Sequence, residues 1–227
     1  YNLCPFCKPV HFLLKVEKIP HQEVHLDLAN KEHLTPEYKA INPYQKVPAI
    51  IDGSYILYES NTLMRYLCNS YSVSHHWYPK DPKERGQIDL FFEWFAVNIW
   101  NVLKYPMVRA RYIQDTTKQQ ALEVTNNALK ELNEILGRHK FVTNNKNVNI
   151  ADLALIFHLA GLLKYPLDLN AFPNLEKYVN RIYETEPRLK DDVEKYLLQV
   201  KELREKKKDV KEKLVIMKQE RLQKPKL

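Results

Sequence analysis

Cysteine and long apolar runs are both scarce in this sequence, and each scarcity excludes a class of protein. The 227 residues contain three cysteines at uneven spacing, which is not the framework of a disulfide-rich secreted protein. No apolar run approaches the roughly 18 residues that a membrane-spanning helix needs. We therefore expect a cytoplasmic protein without a signal peptide and without stable membrane association.

The positive charge of the chain is concentrated at one end. Residues 201–227 contain eleven Lys or Arg and five Asp or Glu, and they carry +6 of the formal net charge of +7. The rest of the chain is therefore almost neutral, and we expect no nucleic-acid partner. Apolar residues recur at nearly heptad spacing through 192–227, which predicts a basic amphipathic helix. Three alternatives remain for it: packing across a cleft or dimer, a basic surface for membrane or nucleic acid, or a solvated appendage.

The stretch Cys4-Pro5-Phe6-Cys7 is the strongest chemical signal in the sequence. An amphipathic pattern follows it over residues 8–18, which predicts a helix that begins at the motif. Unpaired backbone N–H groups at a helix start stabilise a thiolate and lower its pKa from about 8.5, and Lys8 adds a nearby cation. The motif thus predicts a reactive thiol, against the alternative of a small cysteine packed in a core.

The first 71 residues predict a mixed α/β unit of the order β-α-β, hairpin, helix. Residues 23–28 alternate with the period of two that is typical of a half-buried strand, and Asp52-Gly53 is a turn signal between two apolar stretches. The predicted elements are the end of a strand at 1–3, a helix at 8–18, strands at 23–28, 46–51 and 55–58, and a helix at 61–71 with Ser60 as its N-cap.

Two further features of this unit predict ligand contacts. The bond between Val47 and Pro48 is a candidate for the cis isomer, which would turn the backbone groups of Val47 outward to pair with an extended peptide. The helix start at Ser60 offers a hydroxyl and free N–H groups, which suit a carboxylate.

The second part of the chain predicts helices alone. Residues 72–83 have the composition of a linker, and the helical apolar spacing begins after them. His75 and His76 lack cysteine or carboxylate partners at ligand spacing, so we expect no metal. Asn149 and Asp152 form a cap-like start to an apolar helix that runs through Leu163.

Several motifs resemble known families. The Cys-Pro-Phe-Cys stretch resembles a glutaredoxin active site, and the element order resembles the thioredoxin fold. Residues 46–49 and 59–63, Lys-Val-Pro-Ala and Glu-Ser-Asn-Thr-Leu, resemble the glutathione transferase superfamily. The motifs that look most like its theta class are Asp27-Leu28, His33-Leu34, Asn42-Pro43 and Trp77-Tyr78-Pro79.

The resemblance implies a thioredoxin-like α/β N-terminal domain followed by an all-α C-terminal domain. It also implies a set of glutathione-binding residues, by position in this sequence. Val47 beside Pro48 would pair with the cysteinyl backbone, Glu59 and Ser60 would hold the γ-glutamyl end, and His33 and Lys46 would reach the glycyl end. We place the glutathione-binding domain at 1–71, the linker at 72–83, the helical substrate domain at 84–191 and the tail at 192–227.

Cys4 departs from the theta pattern, which normally has a serine at this position. A serine hydroxyl keeps the glutathione sulfur as a thiolate for attack on an electrophile, whereas a cysteine is itself a nucleophile that forms mixed disulfides. Cysteine-type members such as the omega class look like this at the same place. We therefore assign the catalytic role to Cys4, while Cys7 is either a resolving thiol or a packed neighbour.

The electrophile pocket of the family lies between the two domains. Four residues of the helical part are candidates for its lining, with ordinary core packing as the alternative, and Asp89 lies where family members use an acid of the partner subunit to meet the ligand's ammonium. The four candidates are Phe92, Phe95, Trp100 and Met107.

The sequence thus predicts a homodimeric glutathione transferase of detoxification that conjugates the glutathione thiol to small hydrophobic electrophiles, with glutathione as co-substrate. The first alternative is a thiol transferase or dehydroascorbate-type reductase that works through Cys4. The second is a non-catalytic interaction module, against which the intact ligand-site residues argue.

Overall fold

The computed structural model describes residues 3–100, 117–162, 169–202 and 205. The first helix, α1, spans Cys7–Val16 and buries Val10, Phe12 and Leu13. It ends because Lys18 adopts a left-handed φ of +54° and the Ile19 N–H donates to the Leu14 carbonyl at 2.9 Å, a Schellman-type termination.

The prediction of a strand over residues 23–28 is wrong, and so is the prediction of a β-α-β unit that includes it. This segment is irregular and ends in a turn, where the Asp27 carboxylate accepts the Ala29 and Asn30 N–H groups at 2.8 and 3.2 Å. Val24, which the alternating pattern placed on a buried face, is 80% exposed. A period of two specifies a strand only where a neighbouring strand pairs with it, and no described strand does so here. Leu3 lies in a turn, and residues 1–2 of the predicted first strand lie outside the described residues.

The predicted hairpin is confirmed. Strands β1, Ala49–Asp52, and β2, Tyr55–Tyr58, pair antiparallel with Ala49 opposite Tyr58 and Asp52 opposite Tyr55. They form the one sheet of the described residues, and Gly53 supplies the positive φ of +60° that the tight turn requires.

Two helices flank the hairpin. Before it, a 3₁₀ turn at Glu32–Leu34 leads into α2, Pro36–Ile41, where Thr35 Oγ1 caps the Tyr38 N–H at 3.3 Å. After it, α3 spans Ser60–Ser70. The N-cap of α3 is Glu59 and its first residue is Ser60. The N-cap predicted at Ser60 is therefore one residue after the observed one.

In the second part of the chain, all the regular elements of the described residues are helices. Helix α4 spans Pro82–Trp94 and continues as a π-helical segment over Phe95–Trp100, and α5 spans Lys118–Arg138, α6 Ile150–Leu162 and α7 Pro173–Thr185. Residues 187–202 form α8, the last helix of the described part of the chain. No described helix is both long enough and apolar enough to cross a membrane.

Helix α6 lies at the centre of the molecule. All of its residues are buried, and it contacts α1, α3 and α4. The predicted cap is confirmed, because Asn149 Oδ1 accepts the Ala151 N–H at 2.9 Å and Asp152 Oδ2 accepts the Asn149 N–H at 3.0 Å. One hydrophobic core therefore joins the α/β part to the helical part.

The tail begins inside α8. Val193, Tyr196 and Val200 of this helix are buried in the core, and Lys15 Nζ of α1 lies 2.7 Å from Asp192 Oδ1. The described part of the predicted tail is therefore packed against the fold. Residues 206–227, which carry most of its charge, lie outside the described residues.

Candidate active site

Cys4 lies in the loop immediately before α1. Its carbonyl oxygen accepts the N–H groups of Cys7 and Lys8 at 3.1 and 3.2 Å, so the backbone of the motif folds into the first turn of the helix. The free N–H groups of a helix start carry partial positive charge. The motif therefore lies where a thiolate is favoured, as the sequence predicted.

The two thiols of the motif differ strongly in acidity. A hydrogen bond from the Cys7 thiol lowers the pKa of Cys4 to about 7 against the opposing effect of burial, with further help from the backbone N–H groups of Cys7 and Phe6. The same hydrogen bond, together with burial, raises the pKa of Cys7 far above its usual value. Both thiols are free. Cys4 is therefore the sulfur that ionises near neutral pH.

Cys68 takes no part in this chemistry. Burial raises the pKa of Cys68 to about 12, and its side chain packs against the hydrophobic core. It is a structural thiol with little nucleophilic character.

The loop before β1 lies beside Cys4. The Cys4 thiol donates to the Val47 carbonyl oxygen at 3.8 Å, and the Val47–Pro48 bond is cis, as predicted. Tyr38 Oη and Asn42 Nδ2 each donate to the Lys46 carbonyl oxygen at 2.7 Å. These bonds hold the loop against α2 and so fix the position of Val47 relative to the thiol.

The register of the hairpin places Glu59 and Ser60 near the loop that contains Val47. Because Ala49 pairs with Tyr58, the residues just outside this pair, Pro48 and Glu59, are neighbours across the hairpin. Glu59 is exposed and has a φ of +71°, while Ser60 is buried at the first turn of α3. The N–H groups at the start of α3 thus lie near the Val47 loop.

The predicted glycyl contacts lie on the α2 side of this loop. Lys46 is exposed, and its carbonyl is the acceptor for Tyr38 and Asn42. His33 is half-buried in the 3₁₀ turn, and its Nδ1 is buried without a hydrogen-bond partner among the described residues. Such an orphaned polar atom is costly unless a ligand meets it.

The motif loop packs against the helical part of the fold. The Phe6 ring meets the His158 ring edge-on at 4.7 Å between centroids, and the Phe95 ring also meets it edge-on, at 5.4 Å. Tyr196 Oη of α8 lies 3.5 Å from the Leu3 carbonyl oxygen. Sequence reasoning missed the contacts of His158 and Tyr196, because neither the apolar pattern of α6 nor the amphipathic pattern of α8 shows which residues of the motif loop a side chain meets.

The predicted pocket residues divide into three groups. Phe95 is buried beside His158 and thus next to the motif. Phe92 is buried beneath the Arg65 guanidinium, 4.9 Å from its ring centre. Met107 lies outside the described residues, as does the side chain of Trp100. A role for any of the four in substrate binding stays a prediction.

Asp89 is engaged within the chain itself. Arg65 Nε donates to Asp89 Oδ1 at 2.7 Å, and Tyr78 Oη lies 3.0 Å from both carboxylate oxygens. The acid that we expected to meet a ligand of a partner subunit therefore ties α3 to α4.

Comparison with known proteins matches both parts of the chain. The family models for the glutathione S-transferase N-terminal and C-terminal domains match residues 1–75 and 95–186. The chain is 33% identical to glutathione S-transferase T1 of Arabidopsis thaliana over 68% of its own length and 67% of that protein. It is 34% identical to T2 of the same plant over 68% of its own length, but spans 28% of that longer protein.

A solved structure agrees with these matches. Human glutathione S-transferase T1-1 in its apo form superposes with a TM-score of 0.76 at 24% identity, covering 89% of each chain. The predicted architecture, thioredoxin-like followed by all-α, is confirmed at the level of the fold.

Proposed function

Because the chain belongs to the glutathione S-transferase family, with a theta-like scaffold, we propose that it conjugates the thiol of glutathione to small hydrophobic electrophiles. The observation that carries this proposal is the arrangement around Cys4. A sulfur with a pKa of about 7 lies 3.8 Å from the Val47 carbonyl, beside a loop and a helix start that offer groups complementary to the peptide.

The proposed glutathione site uses the residues expected from the sequence. The backbone of Val47, next to Pro48, pairs with the cysteinyl unit and so brings its thiol to Cys4. At the start of α3, the helix N–H groups and the Ser60 hydroxyl hold the γ-glutamyl carboxylate, and the Glu59 carboxylate meets the ammonium. At the other end, the glycyl carboxylate lies near Lys46 and gives the orphaned His33 Nδ1 a partner.

In conjugation, Cys4 acts as a hydrogen-bond donor. With a pKa of about 7, both forms of Cys4 are populated near neutral pH, and the protonated form can donate to the glutathione thiolate and hold it in place. The glutathione sulfur attacks the electrophilic carbon, a carbon–sulfur bond forms, and the leaving group departs with its electron pair. Phe95 contributes an apolar wall for the electrophile in this proposal, with Phe92, Trp100 and Met107 as further candidates.

Thiol transfer is a second candidate function, favoured by the acidity of Cys4 and the neighbouring Cys7 thiol. The Cys4 thiolate attacks the glutathione sulfur of a mixed disulfide, the S–S bond breaks, and the released thiolate takes up a proton. A second glutathione then frees Cys4 and leaves as glutathione disulfide. Alternatively, Cys7 displaces glutathione and forms a Cys4–Cys7 disulfide, which two further glutathione molecules reduce. The non-catalytic alternative gains no support from relatives that are named transferases.

We also propose a homodimer that works in detoxification in the cytoplasm, where a reducing environment keeps Cys4 and Cys7 free. Support for association comes from Leu90 in α4 and Val97 in the π-helical segment that continues it, two apolar side chains that are 62% and 66% exposed. The proposed domains remain 1–71 for glutathione and 84–191 for the electrophile, joined by 72–83 and followed by the tail at 192–227.

Calorimetric titration with glutathione tests this proposal. Saturable binding is expected in the wild type, together with turnover of a model electrophile such as 1-chloro-2,4-dinitrobenzene. Ser60→Ala should weaken glutathione binding about tenfold to a hundredfold, because a hydrogen bond to a charged group is lost. Ser72→Ala, an exposed serine just beyond the end of α3, is the matched control and should bind normally. Absence of any glutathione binding in the wild type would overturn both candidate functions.

A further inference from the structure

Three imidazoles lie around one carboxylate beside α1. His11 belongs to α1, whereas His21, Glu23 and His25 belong to the irregular segment that follows it. His11 Nε2 lies 2.5 Å from Glu23 Oε1, His21 Nε2 lies 3.6 Å from the same oxygen, and His25 Nε2 lies 3.2 Å from Glu23 Oε2. The ligand atoms of His11, His21 and Glu23 are all within 4.8 Å of one another.

These separations are close to those of a zinc site. Zinc binds imidazole nitrogen and carboxylate oxygen at about 2.0–2.2 Å, so the ligand atoms of a tetrahedral site are about 3.3 Å apart by the same bond lengths. The distance from Glu23 Oε1 to His21 Nε2, 3.6 Å, already matches this value to within 0.3 Å. The hydrogen bond between His11 and Glu23 must lengthen by less than 1 Å, which side-chain rotation on an exposed surface provides.

His21 is already oriented as a metal ligand. Its Nδ1 lies 2.7 Å from the Ile19 carbonyl oxygen, and a carbonyl can only accept, so Nδ1 carries the proton. In a neutral ring Nε2 then presents a lone pair towards Glu23. A backbone carbonyl on the second nitrogen is the usual outer contact of a zinc-bound histidine, where it fixes both the tautomer and the ring orientation.

We propose that His11, His21 and Glu23 bind a Zn²⁺ ion. His25, whose Nε2 lies 3.2 Å from the second carboxylate oxygen of Glu23, turns towards them to serve as the fourth ligand. The nitrogen-rich donor set favours zinc over Ca²⁺ or Mg²⁺, which take oxygen ligands. This site is separate from the thiol chemistry, and its role is to attach the irregular segment over residues 21–25 to α1.

Three of the four proposed ligands can be recognised in the sequence once residues 21–25 are known not to form a strand. His21, Glu23 and His25 alternate with period two, which puts them on one side of an extended chain. We expected no metal because the adjacent pair His75 and His76 lacks cysteine or carboxylate partners at ligand spacing. The partner on α1, ten residues before His21, cannot be found from spacing alone.

Calorimetric titration of the full chain with zinc chloride, after removal of any polyhistidine tag, tests the proposal. One ion should bind per chain, and His11→Ala and His21→Ala should each lower the affinity at least tenfold. His75→Ala is the matched control, an exposed histidine outside the cluster, and should bind as the wild type does. In the double variant Cys4→Ser, Cys7→Ser, zinc cannot bind to the thiols of the motif. Its zinc affinity should therefore equal that of the wild type if the ion binds at the histidine cluster.

Two further measurements make the outcome decisive. Co²⁺ bound in place of zinc should show the intense visible absorption of tetrahedral coordination, and this should be lost in Glu23→Gln. Amide hydrogen exchange of residues 21–25 should slow on addition of zinc in the wild type and not in His21→Ala. Absence of zinc binding, or wild-type affinity in both histidine variants, would overturn the proposal.

Discussion

The sulfur of Cys4 lies 3.8 Å from the carbonyl oxygen of Val47, although 43 residues separate them in sequence. Two independent local structures produce this contact. One is the turn that starts α1, and the other is the loop that Tyr38 and Asn42 hold through the Lys46 carbonyl. The thiol is therefore positioned beside a fixed stretch of backbone, where the thiol of a bound peptide would meet it.

Cys7 sets the acidity of Cys4, so Cys7→Ala should raise the pKa of Cys4 above about 7. The thiolate fraction of the wild type should rise with pH through 7, because only deprotonation creates the nucleophile. Alkylation by iodoacetamide, followed site by site with mass spectrometry against pH, measures this shift. Cys7→Ser keeps a hydrogen-bond donor and should stay closer to the wild type. An unchanged Cys4 profile in Cys7→Ala would contradict the assignment.

Asp152 stabilises the start of α6 from within the core. Its carboxylate accepts from the Val142 and Asn149 N–H groups and the Tyr178 hydroxyl at 2.9, 3.0 and 2.9 Å, and burial raises its pKa to about 6. Asp152→Ala leaves three buried donors without an acceptor, so the free energy of unfolding in urea should fall by about 3–5 kcal/mol. Asp81→Ala removes an exposed helix cap and should cost only about 1 kcal/mol. Equal losses in the two variants would contradict this role.

Gly161 allows α6 to approach the motif. A Cβ at this position would lie 3.1 Å from Tyr196 Oη and 3.4 Å from Pro5 Cβ. Gly161→Ala should therefore displace the motif loop, lower the stability by about 1–2 kcal/mol and change the alkylation rate of Cys4. Gly86→Ala in α4 meets nothing within 4 Å and should be neutral or stabilising by up to about 1 kcal/mol. A Gly161→Ala protein with wild-type stability and Cys4 reactivity would refute this packing argument.

The exposed side chain of Leu90 on α4 lies in the surface that we propose for the homodimer interface. Leu90→Glu places a charge on this apolar surface, so the protein should shift from dimer to monomer in size-exclusion chromatography with light scattering. Leu198→Glu is the matched control, because Leu198 is a leucine of similar exposure, 58%, on a different helix, α8, and should leave the mass unchanged. A Leu90→Glu protein that remains dimeric would place the interface elsewhere.

Local signals in the sequence predicted local structure well. The Asp52-Gly53 turn and the Asn149 cap are both encoded by residues a few positions apart, and the structure contains both. The prediction of a strand over residues 23–28 failed because an alternation of polar and apolar residues does not by itself provide a neighbouring strand to pair with.

Contacts between distant elements were the part of the site that the sequence could not provide. The position of His158 against Phe6, and of Tyr196 against Leu3, depends on how α6 and α8 dock on the motif. The proposed zinc site could not be predicted for the same reason, because His11 contacts Glu23 only after the chain has turned back at Lys18. Tertiary packing determines these contacts, and no pattern within a single segment reports it.

The ratio of conjugation rate to thiol-transfer rate, measured for the wild type and Cys4→Ser, tests the central claim that Cys4 is the reactive sulfur. In Cys4→Ser a hydroxyl still donates to the glutathione thiolate, so conjugation of the model electrophile should persist or rise. Reduction of a glutathione mixed disulfide should disappear, because no nucleophilic sulfur remains at this position. Cys4→Ser protein that still reduces the mixed disulfide at the wild-type rate would contradict the account.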